Sequence, residues 1–287
     1  MNANISALHA PGHGHKQRII LNRFASYTVL ILIFLLILIP VAWLLVSSLK
    51  APSEFMAYPI QFFPARPRWI NYLIVLTYQP FIAAAGRSLL LGLSTAMITM
   101  FTSAMAGYAF SRLRIKGSDK LFTIVIAMLI IPGIVLLIPQ FVLYARIGII
   151  NTYWPWYLSA LAGSPFYIFM YRQFFKSFPK ELEEAAEIDG CNPFRSFISV
   201  ILPNAKPVLA TVLIYAFSYV WGDYITPTIY LRDPAKLVST WVTPTALPQL
   251  NSILLAATVV YILPVMVLFI LVQKHIQKGM LFTGLSG

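Results

Sequence analysis

Residues 24–49 read FASYTVLILIFLLILIPVAWLLVSSL, without one charged side chain. An α-helix rises about 1.5 Å per residue and bilayer hydrocarbon is about 30 Å thick, so roughly 20 apolar residues cross it. The stretch is too long for the core of a signal peptide and a basic tail precedes it, so it reads as a retained membrane anchor.

Working outward, the same kind of segment recurs. Charge-free runs lie between Arg87 and Arg112, between Lys120 and Arg146, and around 154–171, 208–229 and 252–272. Spans at about 24–49, 88–111, 121–145, 154–171, 208–229 and 252–272 predict an all-α integral membrane protein of six transmembrane helices. They divide the chain into a polar tail (1–23), a six-helix transmembrane domain (24–275) that contains a polar loop at 177–207, and a second tail (276–287). Pro132 and Pro139 in the third span and Pro264 in the sixth are expected to kink their helices.

Composition agrees. The 287 residues are 59% hydrophobic and only 10% charged, too few charges to cover a surface in water. The net charge of +12 is spread as short groups between apolar runs, which suits topology signals and not a nucleic-acid surface. Lys and Arg concentrate in the leading tail, near 112–120, across 172–206 and at 274–278. That face, with both termini, is therefore expected to be cytoplasmic. Cys191 is the one cysteine and three of the four histidines lie in the first fifteen residues. No metal ligand set, catalytic constellation or phosphate loop stands out, so no cofactor and no covalent chemistry are expected of this chain.

Five of the nine acids fall between 181 and 189, within Lys180-Glu-Leu-Glu-Glu-Ala-Ala-Glu-Ile-Asp-Gly190. Acids following Pro179 favour a helix start, and Gly190 permits a sharp reversal at its end. Leu182, Ala185, Ala186 and Asp189 fall on one side at helical spacing, a stripe whose small alanines would let another surface approach. Asn192 and Pro193 then read as the cap and first residue of a second short helix, with Phe194, Phe197 and Ile198 resting on the membrane helices.

Glu184-Ala185-Ala186, Gly190 and Ile201-Leu202-Pro203 resemble the EAA loop of ABC importer permeases. The likeness extends to Asn71-Tyr72, to Arg87-Ser-Leu-Leu-Leu-Gly, to Ala106-Gly-Tyr-Ala-Phe-Ser-Arg112 and to Phe217-Ser-Tyr-Val-Trp-Gly-Asp223. It is nearest to permease subunits of the carbohydrate, maltose-type, binding-protein-dependent family.

The resemblance implies a multi-pass subunit of a prokaryotic cytoplasmic (inner) membrane importer. Its partners would be a second permease subunit, a dimer of ATP-binding subunits carrying ATP and Mg, and an extracytoplasmic solute-binding protein, with an oligosaccharide as cargo. Glu184, Ala185, Ala186, Asp189, Gly190, Ile201, Leu202 and Pro203 would then couple to the ATPase. Tyr219, Trp221 and Asp223 are candidates for the substrate pathway. The aromatic residues could equally face lipid or lie buried, and Asp223 could equally be hydrated or paired locally. The competing reading is a gradient-driven secondary transporter of a small polar solute, for which Asp223 is the candidate acid near a span.

Overall fold

The computed structural model describes residues 13–55, 57–113, 116–242 and 251–284, and among them helices and turns are the only regular structure. Two compact units are present, residues 1–68 and residues 69–287. In the first, α1 (His13–Ser48) runs through Pro40 without a break and takes in the described part of the leading tail. The chain then folds back on the helix end. Lys50 Nζ lies 4.2 Å from the centre of the Trp43 ring and donates to Gln61 O at 2.7 Å. The Glu54 carboxylate accepts from Ala65 N (2.9 Å) and Ala51 N (2.7 Å), contacts that hold its pKa below the ordinary value.

The second unit begins with α2 (Ile70–Thr77) and the long α3 (Gln79–Arg112). There follow α4 (Ser118–Ala127), α5 (Gly133–Arg146), α6 (Trp154–Ala162) and α7 (Pro165–Lys176). A polar-loop group comes next: α8 (Glu181–Ile188), α9 (Pro193–Ser196), a π-turn over Phe197–Ile201 and α10 (Leu202–Asn204). The unit closes with α11 (Lys206–Trp221), α12 (Ile225–Tyr230) and α13 (Asn251–Gly284).

Helix α3 is the axis of this unit, lying against α6, α7 and α11. It can do so because its inward residues are small: Ala84, Ser88, Gly92, Thr95, Ala96, Ser103, Ala104 and Gly107 are all buried. In hydrocarbon, where lipid tails compete equally for apolar side chains, such small residues let backbones approach closely. At Gly107 the approach is tightest. A Cβ there would collide with Tyr171 Cβ and sit 3.1 Å from Arg172 N, so α3 and α7 meet backbone to backbone. Helix α13 is held to α11 by a reciprocal pair, Trp221 Nε1 donating to Tyr261 O (3.0 Å) and Tyr261 Oη donating to Trp221 O (2.8 Å).

Three expected spans are broken instead of continuous. The third divides into α4 and α5, which meet at 99°. Pro132 lacks an N–H and pushes the preceding residue out of helical space, and Ile131 adopts an extended ψ of 115°. Pro139, by contrast, sits inside α5. The fourth divides at Gly163, whose φ of +73° no β-carbon-bearing residue adopts readily. The fifth ends at Trp221 and resumes as α12. Three helical stretches, 23–48, 79–112 and 252–276, are each long and apolar enough to cross a membrane. Counting the bent pairs 118–146 and 193–221 as spans gives up to five among the described residues.

Candidate functional site

Two regions of the second unit carry the functional side chains. The first is the loop from Glu181 to Ala205. Glu181, Glu183 and Glu184 occupy the first turn of α8, where acids are favoured by the helix dipole. Gly190 (φ +78°) makes the reversal, and Asn192 Oδ1 caps α9 by accepting from Arg195 N at 2.8 Å. After α10 the chain enters α11 at 84°.

Aromatic packing mounts this piece on the membrane helices. Phe197, 1% exposed, lies with its ring 5.1 Å from that of Tyr108 and 6.1 Å from that of Phe101, both on α3. Ile201 and Ala205 complete a cluster with Tyr171, Phe175 and Val212. The expected stripe on α8 turns out differently. Ala186 points inward beside half-buried Glu183, whereas Leu182, Ala185 and Asp189 are exposed along with Glu184 and Gly190. Helix α8 thus lies with the 183/186 edge on the protein, and its open side shows Ala185 and the 86% exposed Ile188, a residue the sequence reading passed over. Phe194 is also exposed and does not rest on the membrane helices. Leu202 is half-buried and Pro203 exposed.

Two buried arginines, also unforeseen, stitch the region together. Arg112, at the end of α3, donates Nη2 to the carbonyls of Phe175 and Phe178 (2.7 Å to the latter), and its Nε lies 3.5 Å from Glu183 Oε1. Arg172 donates to Phe110 O (3.1 Å) and to Asp119 Oδ1 (2.7 Å), with its guanidinium 3.8 Å above the Phe122 ring. Burial pushes the Glu183 carboxyl above its ordinary pKa, and Arg112 offsets only part of that shift.

The second region is a cavity of about 740 Å³. All three helix breaks open into it: Gly133 at the start of α5, Gly163 and Ser164 between α6 and α7, and Gly222 and Asp223 after α11. Thr99, Gln140, Ser159, Ser218 and Tyr219 add polar groups to the wall, and Trp156, Tyr167 and Tyr230 add rings. Tyr230 Oη donates to Gln140 Oε1 at 3.4 Å. Asp223 Oδ1 accepts from Thr226 N at 3.0 Å, which caps α12, and its carbonyl accepts from Ser239 Oγ at 2.7 Å.

Tyr219, 75% exposed, and Asp223 therefore line the cavity. Trp221 does not. It is buried between Phe217 and Tyr261, stacked at 5.5 and 5.3 Å, on the side where α11 meets α13. Helical periodicity separates them, since neighbours at i and i+2 face different ways. The cavity residues on α5 and α6 were missed. Pro132-Gly133 and Gly163-Ser-Pro165, breakers inside apolar runs, were the available signal. Among the described residues no cluster of three His, Cys, Asp or Glu could hold a metal ion.

A broken-helix cavity beside a mounted helix-turn-helix loop is a transporter's layout, and comparison with known proteins decides the family. The model of the family described as "binding-protein-dependent transport system inner membrane component" matches residues 99–281. The chain belongs to this family. It is an inner-membrane permease of the ABC carbohydrate importer kind.

Among curated relatives, the permease is 29% identical over 256 residues to the sulfoquinovosyl glycerol transport system permease protein SmoH of Agrobacterium fabrum, covering 87% of this chain and 89% of that one. It is 30% identical to the diacetylchitobiose uptake system permease protein NgcG of Streptomyces coelicolor (88% and 86% covered). It is 28% identical to the arabinooligosaccharides transport system permease protein AraQ of Bacillus subtilis (95% and 99%). A crystal structure of a bacterial ABC transporter involved in alginate import shares the fold, with a TM-score of 0.74 at 23% identity over 92% of this permease and 99% of that chain.

Proposed function

We propose that this permease forms half of the translocation pathway of an ATP-driven, binding-protein-dependent ABC importer for a carbohydrate, with an oligosaccharide as cargo. The observation that carries the reading is the pairing of a polar, ring-bearing cavity at three helix breaks with an exposed EAA helix mounted on the same long helix, α3. Non-helical backbone at membrane depth is tolerated where it lines a water-filled cavity. Hydroxyl, amide and carboxylate groups with intervening aromatic faces suit a polyhydroxylated ring, whose edges hydrogen-bond and whose faces are apolar. The permease relatives named for oligosaccharide uptake support the cargo class.

In this reading Glu184, Ala185, Asp189 and Gly190 meet a groove on one subunit of an ATPase dimer, while Ala186, Ile201, Leu202 and Pro203 set the loop's shape. ATP and Mg are bound by that partner, and the hydrolysis is the partner's. Closure of the ATPase dimer moves the loop and swings the cavity between the two sides of the membrane as a rigid-body transition. A second permease supplies the other half of the pathway, and a solute-binding protein delivers the cargo. The excess of Lys and Arg on the loop face supports a cytoplasmic position for that face and for both termini.

The test is affinity purification of the tagged chain from its native membrane in mild detergent, with mass spectrometry of what stays bound. A second permease and an ATP-binding subunit are the expected companions, and the copurifying or genetically adjacent binding protein then identifies the cargo by ligand screening. Glu184→Lys, which reverses charge on the open side of α8, should insert normally but lose the ATPase. Recovery of the chain alone, together with uptake driven by an ion gradient, would overturn the proposal in favour of secondary transport.

A further inference from the structure

We infer that Arg112 is a positioning residue that links the EAA helix to the membrane helices, so that movement of the loop is transmitted to the cavity through it. The inference rests on the coupling reading above and adds the route by which the push travels.

Three observations converge. Arg112 is the last residue of α3, the helix whose Thr95 and Thr99 line the cavity. Its side chain, 7% exposed, reaches two other elements at once: the carbonyls of Phe175 and Phe178 at the end of α7, and the carboxylate of Glu183 in the first turn of α8. Residues 177–180 between α7 and α8 are therefore spanned by one guanidinium. The Phe175 carbonyl also accepts from Phe178 N at 3.1 Å, and a planar cation with several fixed donors holds this closing turn through both carbonyls while facing an acid.

The Arg112–Glu183 approach is loose, 3.5 Å without hydrogen-bond geometry at Nε or Oε1. Such a contact can tighten or open as α8 shifts, whereas the two carbonyl bonds keep α3 and α7 together. Arg172 makes a useful contrast. It is buried nearby and binds Phe110 O and Asp119, tying α7 to the end of α3 and the start of α4, but has no contact with α8. Both arginines stabilise this end of the unit, and Arg112 alone of the two touches the EAA helix.

The experiment uses the purified importer with all its partners in sealed vesicles, and needs no knowledge of the cargo. Cys191→Ser removes the native thiol and Ser218→Cys places a reporter in the cavity wall. The magnesium complex of a non-hydrolysable ATP analogue is enclosed, and a membrane-impermeant maleimide is added outside. In the parent, nucleotide should raise the labelling rate by at least ~5-fold, the lower end of usual coupling factors. Arg112→Gln should retain the ATPase in the complex yet show no rise beyond about twofold, whereas Arg172→Gln should lower thermal stability and keep the rise.

A full rise in Arg112→Gln overturns the inference. Loss of the rise in both arginine variants also overturns it, because general loosening then explains the effect. Loss of the ATPase from Arg112→Gln places the residue in docking and removes the transmission role. Should Arg112→Gln fail to reach the membrane, Arg112→Lys carries the same test, since an ammonium keeps the charge but cannot fork across both carbonyls and the acid. A parent complex that holds its ATPase and shows no rise would sink the coupling reading itself.

Discussion

The polar loop from Glu181 to Ala205 and the cavity differ in how they are assembled. Every candidate coupling residue lies between 184 and 203, so the loop is one contiguous piece whose shape follows from local rules: acids at a helix start, a glycine at a positive φ, an asparagine cap before a proline. The cavity wall draws on residues from Thr95 to Tyr230, carried by α3, α5, α6, α7, α11 and α12 and the breaks between them. A local site survives small shifts of its supports. A dispersed one changes shape with any of them, which suits a compartment that must open and close.

The largest effect should come from the point both regions share. Gly107→Val drives a side chain into Tyr171 where α3 meets α7, and overpacking there should cost about 3 kcal/mol. Loss of a monodisperse peak in detergent gel filtration is the expected result, and a normal peak would show that the two helices can separate independently. Gly163→Val should strike the cavity and spare the loop. Its φ of +73° with ψ 176° lies in a region used almost only by glycine and disfavours a β-branched residue by about 1–3 kcal/mol, lowering the thermal midpoint while the ATPase still copurifies.

Asp223→Asn keeps an acceptor for Thr226 N and changes only charge. The midpoint should hold while cargo flux falls by about tenfold or less, the worth of one hydrogen bond. Flux abolished together with an ion-gradient dependence would instead mark Asp223 as a coupling acid.

The smallest effect belongs to Glu183→Gln. Because burial raises the Glu183 pKa in the folded chain, the folded state holds that proton more tightly than the unfolded one. Stability should therefore fall as pH rises from the ordinary Glu range through the raised value. The neutral variant should lose that slope, with a change of about 1 kcal/mol or less at neutral pH. A pH-midpoint series on both proteins checks the sign.

How far the sequence revealed the molecule follows the same division. The membrane class, the helix end at Arg112 and the reversal at Gly190 depend on short-range patterns, and those were readable. The inward edge of α8 was not, because Ala185 and Ala186 are identical side chains, and which of them is buried depends on how α8 packs against α9, the turn at 197–201 and Arg112. Nor was the split of three spans. Pro139 and Pro264 lie within continuous helices while Pro132 ends one, and a proline by itself does not say which of the two it will do. Tyr219 and Trp221 were grouped for their rings, although two helical residues of separation send one to the cavity and the other to the core.

The breaks at Pro132, Gly163 and Gly222 also say something about how a sugar would experience the passage. Each interruption leaves peptide groups outside the regular helical ladder, and in hydrocarbon such groups demand a partner. In a water-filled compartment the solvent meets that demand. An entering sugar can then exchange its own hydration shell for peptide carbonyls, N–H groups and that resident water, one contact at a time. The wall behaves as a substitute solvent more than as a mould, and a wall of that kind accepts cargo that has already been chosen elsewhere.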